Sequence, residues 1–394
     1  MNTTNTDIVI VGGGVIGNSI AYHLARQRRQ VLVVERSGVA VSPAASWASA
    51  GGVRRQGRHP AEAILAIEAI ERWRTLEQEL EADLHYRQGG NLLLAESDAE
   101  ANQLSEFVHR QQEAGFVDVR LVDRNEALAL VPGLNERVVA GSYSPSDGQA
   151  DPVLTTRAFA SAAQRFGAIY WTGTHTLGLL VRNERVIGVQ TERGEIQAEH
   201  VVLAAGTWSD ELAATIGLLL PVRTRALQMI LSTPAQSNVL QPVISAVGRV
   251  LSLKQLASGA FLLGGGWLGD PTPDRRSYTM RQSSVQGNWT TACELLPVVG
   301  EQRIDHSWCG LEGQSIDDIP LIGAMPGLEG LTIAVGFSGH GFALAPAVGR
   351  CVADQITGHP TPELEGLSPS RMASLHPHAV ETFIAEATRG NFLV

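Results

Sequence analysis

Residues 7–35 read DIVIVGGGVIGNSIAYHLARQRRQVLVVE, and this stretch decides the fold. The apolar runs at 7–11 and 31–34 are typical of strands buried on both faces of a parallel sheet. The segment between them predicts a helix that begins at the glycine-rich turn. The order of strand, glycine turn, helix and strand therefore predicts an α/β, Rossmann-type dinucleotide-binding unit.

The three spaced glycines of this turn stand in G-x-G-x-x-G register, and each has a physical task. Gly12 permits the tight turn, Gly14 lets the backbone approach a pyrophosphate, and Gly17 lets the helix pack closely on the strand. Glu35 ends the second strand, where it is placed to accept hydrogen bonds from a ribose 2′-hydroxyl and to repel a 2′-phosphate. The pattern therefore favours FAD or NAD over NADP.

Composition excludes several classes of function. The formal net charge of -10 argues against nucleic-acid binding, and no apolar run approaches the roughly 20 residues that span a bilayer. The first residues lack the features of a signal peptide, so a cytoplasmic location is predicted. The three cysteines are few and widely spaced, so we expect neither a metal site nor a disulfide framework. Lys254, the only lysine, is expected at the surface.

Three later segments favour FAD over NAD. Residues 42–55 are a run of small residues that permits close backbone approach to an extended cofactor. Residues 200–212 form a further buried strand that ends in Ala-Ala-Gly. Residues 331–358 read as a strand, a glycine turn and a helix that begins near Gly341, whose N-terminus favours negative charge on a reduced flavin.

These motifs together resemble a family, the FAD-dependent amino acid and amine oxidoreductases that include D-amino acid oxidase, glycine oxidase and the sarcosine oxidase β-subunit. The resemblance rests on GGGVIG at 12–17, SWASAGGVR at 46–54, WCGLEGQSIDDIPLIG at 308–323 and GFSGHGF at 336–342. It implies noncovalent FAD. The residues that it implies for the cofactor are Gly12, Gly14, Val15, Ile16, Gly17, Glu35, Arg36, Ser46, Ala50, Gly51, Gly52, Thr176, Ala205, Gly206, Trp208, Gly310, Gly336, Ser338, Gly339, His340, Gly341 and Phe342.

The resemblance also implies two interleaved domains. A glutathione-reductase-like FAD domain is expected to comprise 1–84, 143–217 and 301–366. An α+β substrate domain on a mostly antiparallel sheet is expected to comprise 85–142 and 218–300, and 367–394 is expected to form a tail.

The predicted reaction is oxidation of the carbon-nitrogen bond of a small amino acid or amine, with hydride transfer to the flavin and hydrolysis of the imine. Arg54 and Arg55 are candidate carboxylate anchors, because a guanidinium holds a carboxylate in a bidentate fork. Glu312 stands where some members of the family have arginine, and is a candidate partner for a cationic amine. His340 is a candidate base.

Several alternatives stay open at this stage. The chain also resembles β-type subunits of hetero-oligomeric opine, proline and glycine dehydrogenases, and a 2-hydroxy acid oxidoreductase would use His340 as base. A flavin-bearing electron-transfer subunit is the alternative outside enzymes. The expected partners are a small amine or amino acid, oxygen or an electron carrier, and copies or other subunits in an oligomer. Cys309 lies one residue from the position at which monomeric sarcosine oxidases tether FAD.

Overall fold

Twenty strands and eleven α-helices occur in residues 3–236 and 238–385, the part of the chain that the computed structural model describes. The strands are β1 (Thr3–Val11), β2 (Val31–Val34), β3 (Gly52–Val53), β4 (Asn91–Ala95), β5 (Arg120–Asp123), β6 (Ala140–Ser144), β7 (Gly148–Gln149), β8 (Ile169–Trp171), β9 (Thr176–Arg182), β10 (Arg185–Thr191), β11 (Gly194–Leu203), β12 (Val222–Pro234), β13 (Val243–Ala246), β14 (Arg249–Gln255), β15 (Ala260–Gly264), β16 (Leu268–Pro271), β17 (Tyr278–Thr279), β18 (Ile304–Ser315), β19 (Leu321–Ala324) and β20 (Leu331–Val335).

The helices connect these strands. They are α1 (Val15–Arg26), α2 (Ala45–Ala48), α3 (Ala63–Trp73), α4 (Leu76–Leu80), α5 (Asp98–Glu113), α6 (Arg124–Leu130), α7 (Pro152–Arg165), α8 (Ser209–Ala214), α9 (Gln282–Leu295), α10 (Gly341–Ile356) and α11 (Pro377–Ala385). None of the helices in these described ranges is both long and apolar enough to cross a membrane.

The first large sheet carries the dinucleotide-binding unit. Its strands run in the order β19-β20-β11-β1-β2-β8, and β10 and β9 extend it from β11. The pairs from β20 to β8 along this path are parallel, as the unbroken apolar runs of β1 and β2 predict. Ile8, Val9 and Ile10 are fully buried on both faces. The predicted α/β fold of the Rossmann type is confirmed.

Helices α1 and α10 pack against each other beside this sheet. Gly349 of α10 faces Ser19 of α1 so closely that a Cβ at position 349 would lie 2.0 Å from the Ser19 hydroxyl oxygen. The Ser19 hydroxyl donates a 2.8 Å hydrogen bond to the carbonyl oxygen of Ala345. This close crossing fixes the start of α10 relative to the glycine turn that precedes α1.

The second large sheet is mostly antiparallel. Its order is β17-β16-β12-β15-β14-β13-β4-β6-β5, with β18 also paired to β12, and only the pair between β13 and β4 is parallel. Leu92, Ile244, Leu253 and their neighbours on one face form a separate apolar core with α9. The opposite face is therefore available to cover a site on the first sheet.

The domain boundaries remain a prediction. The strands that make up each sheet can be compared with the residue ranges predicted for the two domains. The strands of the first sheet all fall inside the predicted FAD-domain ranges. Strand β18 also falls inside those ranges, although it hydrogen-bonds to β12 of the second sheet over eleven residue pairs. Strand β18 therefore joins the two parts of the molecule. Residues 386–394 of the predicted tail lie outside the described residues.

Candidate active site

A cavity of about 550 Å³ extends from the glycine turn after β1 to the start of α10. Both large sheets contribute to its wall, through residues such as Val11 and Met229. Most of the site residues predicted from the sequence line this one cavity. The exceptions are Gly17, Gly51 and Arg55, which are absent from its lining.

The glycine turn has the tight geometry that its spacing predicts. Gly12 has φ +111°, and a Cβ there would lie 2.3 Å from the carbonyl oxygen of Ala204. Gly17 is excluded from the cavity because it faces the strand, where its Cβ would lie 2.0 Å from the Gly12 carbonyl oxygen. Helix α1 can therefore begin close to the sheet and direct its N-terminal N–H groups at the cavity. The hydroxyl oxygen of Ser46 accepts a hydrogen bond from the N–H of Val15 at 2.9 Å.

The end of the cavity beside the glycine turn has groups suited to an adenosine. Glu35 accepts the N–H of Gly13 at 2.7 Å and the N–H of Ser37 at 2.8 Å, which holds its carboxylate beside the turn. Thr176 also lines the cavity, and its hydroxyl is buried without a hydrogen-bond partner among the described residues. A buried hydroxyl that lacks a partner is costly, so a ligand there is expected to satisfy it. These residues fit FAD.

The GFSGHGF segment turns sharply before α10. Gly336, Ser338 and Gly339 all have positive φ, at +68°, +49° and +87°. The turn leaves the N-terminal N–H groups of α10 at the cavity wall, as the sequence predicts.

His340 lies at the N-cap of α10 and pairs with a buried acid. Its Nδ1 lies 2.8 Å from an oxygen of Glu62, which is fully buried. Burial and the nearby Arg58 lower the pKa of His340 to about 4. Burial alone would raise the pKa of Glu62, but the hydrogen bond with His340 and the charge of Arg58 lower it. The imidazole is therefore neutral and donates Nδ1–H to an ionised Glu62.

Glu312 of β18 lines the cavity beside the same turn. Its Oε1 accepts the backbone N–H of Gly339, and Oε2 has no hydrogen-bond partner in residues 3–236 and 238–385. Burial raises its pKa to about 7, against the lowering effects of the Gly339 N–H, Arg225 and Arg58. Arg225 lies opposite Glu312 in the register of β12 and β18. Glu312 therefore changes charge close to neutral pH.

The two candidate arginines are separated by the structure. Arg54 is half-buried in the cavity wall, and its guanidinium has no hydrogen-bond or ion-pair partner among the described residues. Arg55 turns away, and its guanidinium forms an ion pair with Asp118. Asp118, which lies 63 residues further along the chain, holds this side chain away from the cavity. Only Arg54 of this pair is placed to contact a ligand.

Sequence reasoning missed several groups of this site. Arg58, buried in the cavity wall, donates its Nε–H to the carbonyl oxygen of Arg54 at 3.1 Å. Glu62 belongs to a capping box with His59, which was a readable signal in the segment HPAE. Asn91, Ser245 and Ser252 line the cavity from three adjacent strands, β4, β13 and β14, and no local motif marks them.

Cys309 and Lys254 both lie outside the lining of the cavity. The Cys309 thiol is absent from the cavity lining and packs against the sulfur of Met280 at 3.4 Å, which supports noncovalent binding. The surface position expected for Lys254 is wrong, because its side chain is buried and burial lowers its pKa to about 7. It lies on the same strand as Ser252, two residues further along.

Comparison with known proteins places this site in a family. A family model described as FAD dependent oxidoreductase matches residues 7–355. Glycine oxidase of Pseudomonas aeruginosa is 32% identical over 366 residues, which cover 89% of this chain and 94% of that enzyme. Human mitochondrial dimethylglycine dehydrogenase is 27% identical over 391 residues, which cover 93% of this chain but 44% of that longer protein.

A solved structure extends the likeness to three dimensions. The L-proline dehydrogenase of P. horikoshii superposes with a TM-score of 0.87 at 29% identity, over 94% of this chain and 99% of that one. The family match covers most of the chain and includes both the glycine turn and the start of α10. The family that the sequence motifs resemble and the FAD cofactor are thereby confirmed. The chain belongs to the family of FAD-dependent oxidoreductases.

Proposed function

We propose that this protein oxidises the carbon-nitrogen bond of a small amino acid, or of a primary or secondary amine, to an imine that hydrolyses in water. The observation that carries the proposal is the pair of opposite charges on the cavity wall, the Arg54 guanidinium and the Glu312 carboxylate. A zwitterionic amino acid has a complementary pair of charges. The related enzymes named above, which act on glycine, dimethylglycine and proline, support this substrate class.

The cofactor is proposed to lie along the whole cavity. The glycine turn, Ser46, Glu35 and Thr176 would hold its nucleotide part, and the segments 50–54, 309–311 and 338–342 would surround its flavin ring. When bound, FAD supplies a two-electron acceptor for the hydride that leaves the substrate carbon. The N–H groups at the start of α10 favour the negative charge that this transfer creates.

Arg54 is proposed to orient the substrate. Its guanidinium has no partner in the described part of the chain, so it can form two parallel hydrogen bonds to a carboxylate. Burial lowers the pKa of Arg54, but arginine stays protonated in the working range. Holding one end of the substrate fixes the direction of its reactive C–H bond, which is the main requirement of hydride transfer.

Glu312 is proposed to take the proton that makes the substrate nitrogen reactive. An ammonium has no lone pair, so it must lose one proton before the C–H bond can deliver a hydride and form the C=N bond. Oxygen Oε2 of Glu312 is free to accept that proton while Oε1 keeps the Gly339 N–H. The net change on the protein is protonation of one carboxylate.

The pH dependence of flavin reduction follows from this role. Because Glu312 accepts a proton only when ionised, the ratio of limiting reduction rate to substrate Kd should rise with pH and level off above about 7. Glu312→Gln should remove this inflection and lower the plateau about 100-fold. Anaerobic stopped-flow measurements between pH 5.5 and 9 check both results. An unchanged profile in the variant would exclude Glu312 as the proton acceptor.

His340 argues against the 2-hydroxy acid alternative. Removing the proton of an alcohol requires a strong base, whereas the pKa of His340 is lowered to about 4. Its Nδ1 is already held by Glu62, which leaves Nε2 as a hydrogen-bond acceptor. We propose that Nε2 accepts a hydrogen bond from the substrate N–H and does not act as the base.

The proposed function can be tested directly with the FAD-bound protein. The protein is mixed without oxygen with glycine, N-methylated amino acids, prolines, D-amino acids, polyamines and hydroxy acids. Loss of flavin absorbance at about 450 nm is followed. We expect at least one nitrogen compound to bleach the flavin. Bleaching by a hydroxy acid alone, or by none of the panel, would contradict the proposal.

A further inference from the structure

Arg58 places a second guanidinium in the wall of the cavity, four residues after Arg54. It is 3% exposed, and its Nη1 is buried without a hydrogen-bond partner among the described residues. Its Nε–H is used by the carbonyl oxygen of Arg54, which ties the two residues together. Burial, together with the like charge of Arg54, lowers the pKa of Arg58 to about 10. Two cations are therefore held close together facing one cavity.

The acids nearest to these arginines are occupied elsewhere. Glu62 accepts Nδ1–H from His340 at 2.8 Å and the N–H of His59 at 3.2 Å. Asp147 accepts the N–H groups of Arg55 and Gln56 at 3.0 Å and 3.2 Å. Both carboxylates moderate the charge of the arginines, but neither forms a hydrogen bond with the Arg54 or Arg58 side chain in the described structure. The two guanidinium groups keep donors for a ligand.

Glu312 adds an opposite charge to the same wall. It interacts electrostatically with Arg58, yet no ion pair of 4.0 Å or less joins the two side chains in the described ranges. A gap between opposite charges that do not touch can be filled by a ligand that carries both signs. The cavity wall therefore has two guanidinium cations that can donate hydrogen bonds and one carboxylate that can accept a hydrogen bond from a cationic nitrogen.

We propose that this protein selects amines that carry two carboxylates, one received by Arg54 and the other by Arg58, with the nitrogen directed at Glu312. This inference rests on the proposed amine oxidation and names its substrate class. Arginine binds one carboxylate best in a bidentate fork, so two guanidinium groups are best satisfied by two carboxylates. A substrate with one carboxylate leaves one buried guanidinium without that partner, which is unfavourable. Arg58 is a specificity-determining residue in this arrangement.

Binding of compounds that cannot be oxidised tests the selection separately from the reaction. Diglycolate has two carboxylates joined through an ether oxygen, and methoxyacetate is a matched ether with one carboxylate. Each is titrated into the FAD-bound protein, and the Kd is read from the change in the flavin absorbance spectrum. Diglycolate should bind about 30-fold more tightly than methoxyacetate, the value expected for one additional charged hydrogen-bonding group.

Variants assign the second carboxylate to Arg58. Arg58→Gln should lower the affinity for diglycolate to nearly that for methoxyacetate, and should change methoxyacetate binding by less than about threefold. Arg182→Gln, at an exposed position of β9, is the matched control and should change neither Kd. If Arg58→Gln does not retain FAD, Arg58→Lys keeps the charge but loses the fork, and should reduce the preference for diglycolate severalfold.

Three results would overturn the inference. Equal affinities for the two ethers would show no second carboxylate site, and an equal loss of both ligands in Arg58→Gln would show that both arginines hold one carboxylate. Unchanged affinities for both ethers in Arg58→Gln, or in Arg58→Lys, would place the second carboxylate elsewhere.

The outcome remains distinct from that of the proposed function. If amines with one carboxylate reduce the flavin as well as iminodiacetate and glutamate do, the selection fails and amine oxidation stands. If no amine reduces the flavin, the proposed function fails whatever the ethers show. Comparison of iminodiacetate with glutamate separates carboxylates on both sides of nitrogen from carboxylates along one carbon chain.

Discussion

Replacement of Gly17 by alanine is expected to give a protein that no longer retains FAD. The added Cβ would lie 2.0 Å from the carbonyl oxygen of Gly12 and 3.1 Å from the carbonyl carbon of the same residue. Helix α1 would therefore have to move away from β1. Overpacking of this kind costs about 3 kcal/mol of unfolding free energy. It also shifts the N–H groups that face the cavity. The ratio of flavin to protein absorbance after purification measures the loss.

A glycine elsewhere provides the control. Gly300 is exposed, and a Cβ there would lie 3.5 Å from its nearest neighbour, the sulfur of Cys293, which is an ordinary contact. Gly300→Ala should keep its FAD and unfold within about 2 °C of the parent protein. If Gly17→Ala binds FAD with the parent affinity, the close packing of α1 on β1 is not needed to form the site.

Arg54→Gln is expected to lower kcat/KM for a carboxylated substrate by about 100-fold, the value of a lost bidentate charged pair. The loss should be confined to substrates that have a carboxylate, because Arg54 has no partner in residues 3–236 and 238–385 whose loss would disturb the fold. An amino acid and the corresponding amine without the carboxylate are therefore compared in both proteins. The kcat/KM for the amino acid divided by the kcat/KM for the amine should fall toward one in the variant.

Arg55→Gln separates the two arginines that sequence alone left as equal candidates. Arg55 pairs with Asp118 and does not line the cavity, so its replacement should lower thermal stability but leave the kcat/KM ratio of the two substrates within about twofold. The assignment of the anchor to Arg54 fails if Arg55→Gln produces the larger loss of this ratio, or if Arg54→Gln slows both substrates equally.

Local patterns were sufficient to predict the glycine turn after β1 and the start of α10. The turn at Gly12 and the strand that ends at Glu35 depend on residues within 30 positions of one another, so their spacing carries the geometry. The start of α10 is similar, because GFSGHGF contains both its glycines and its helix start. The α/β fold with a second, mostly antiparallel sheet was therefore predictable, and it is confirmed.

The environments of Lys254, Arg54, Arg55 and His340 were less predictable, because they depend on burial and on distant partners. Nothing near Lys254 in sequence indicates that strand β14 would enclose it. Arg54 and Arg55 look alike in sequence, and only the position of Asp118, 63 residues away, removes one of them from the cavity. The pairing of Glu62 with His340 spans 278 positions and could not be read from either motif alone.

The enclosed position of Lys254 has a practical consequence. Since it is the only lysine of the chain, reagents that acylate side-chain amines have a single target, and that target is shielded in the folded state. Acylation of this amine can proceed only when strand β14 opens to solvent. The rate of that modification, followed by mass spectrometry, would therefore report how often the sheet above the cavity opens, without any engineered label.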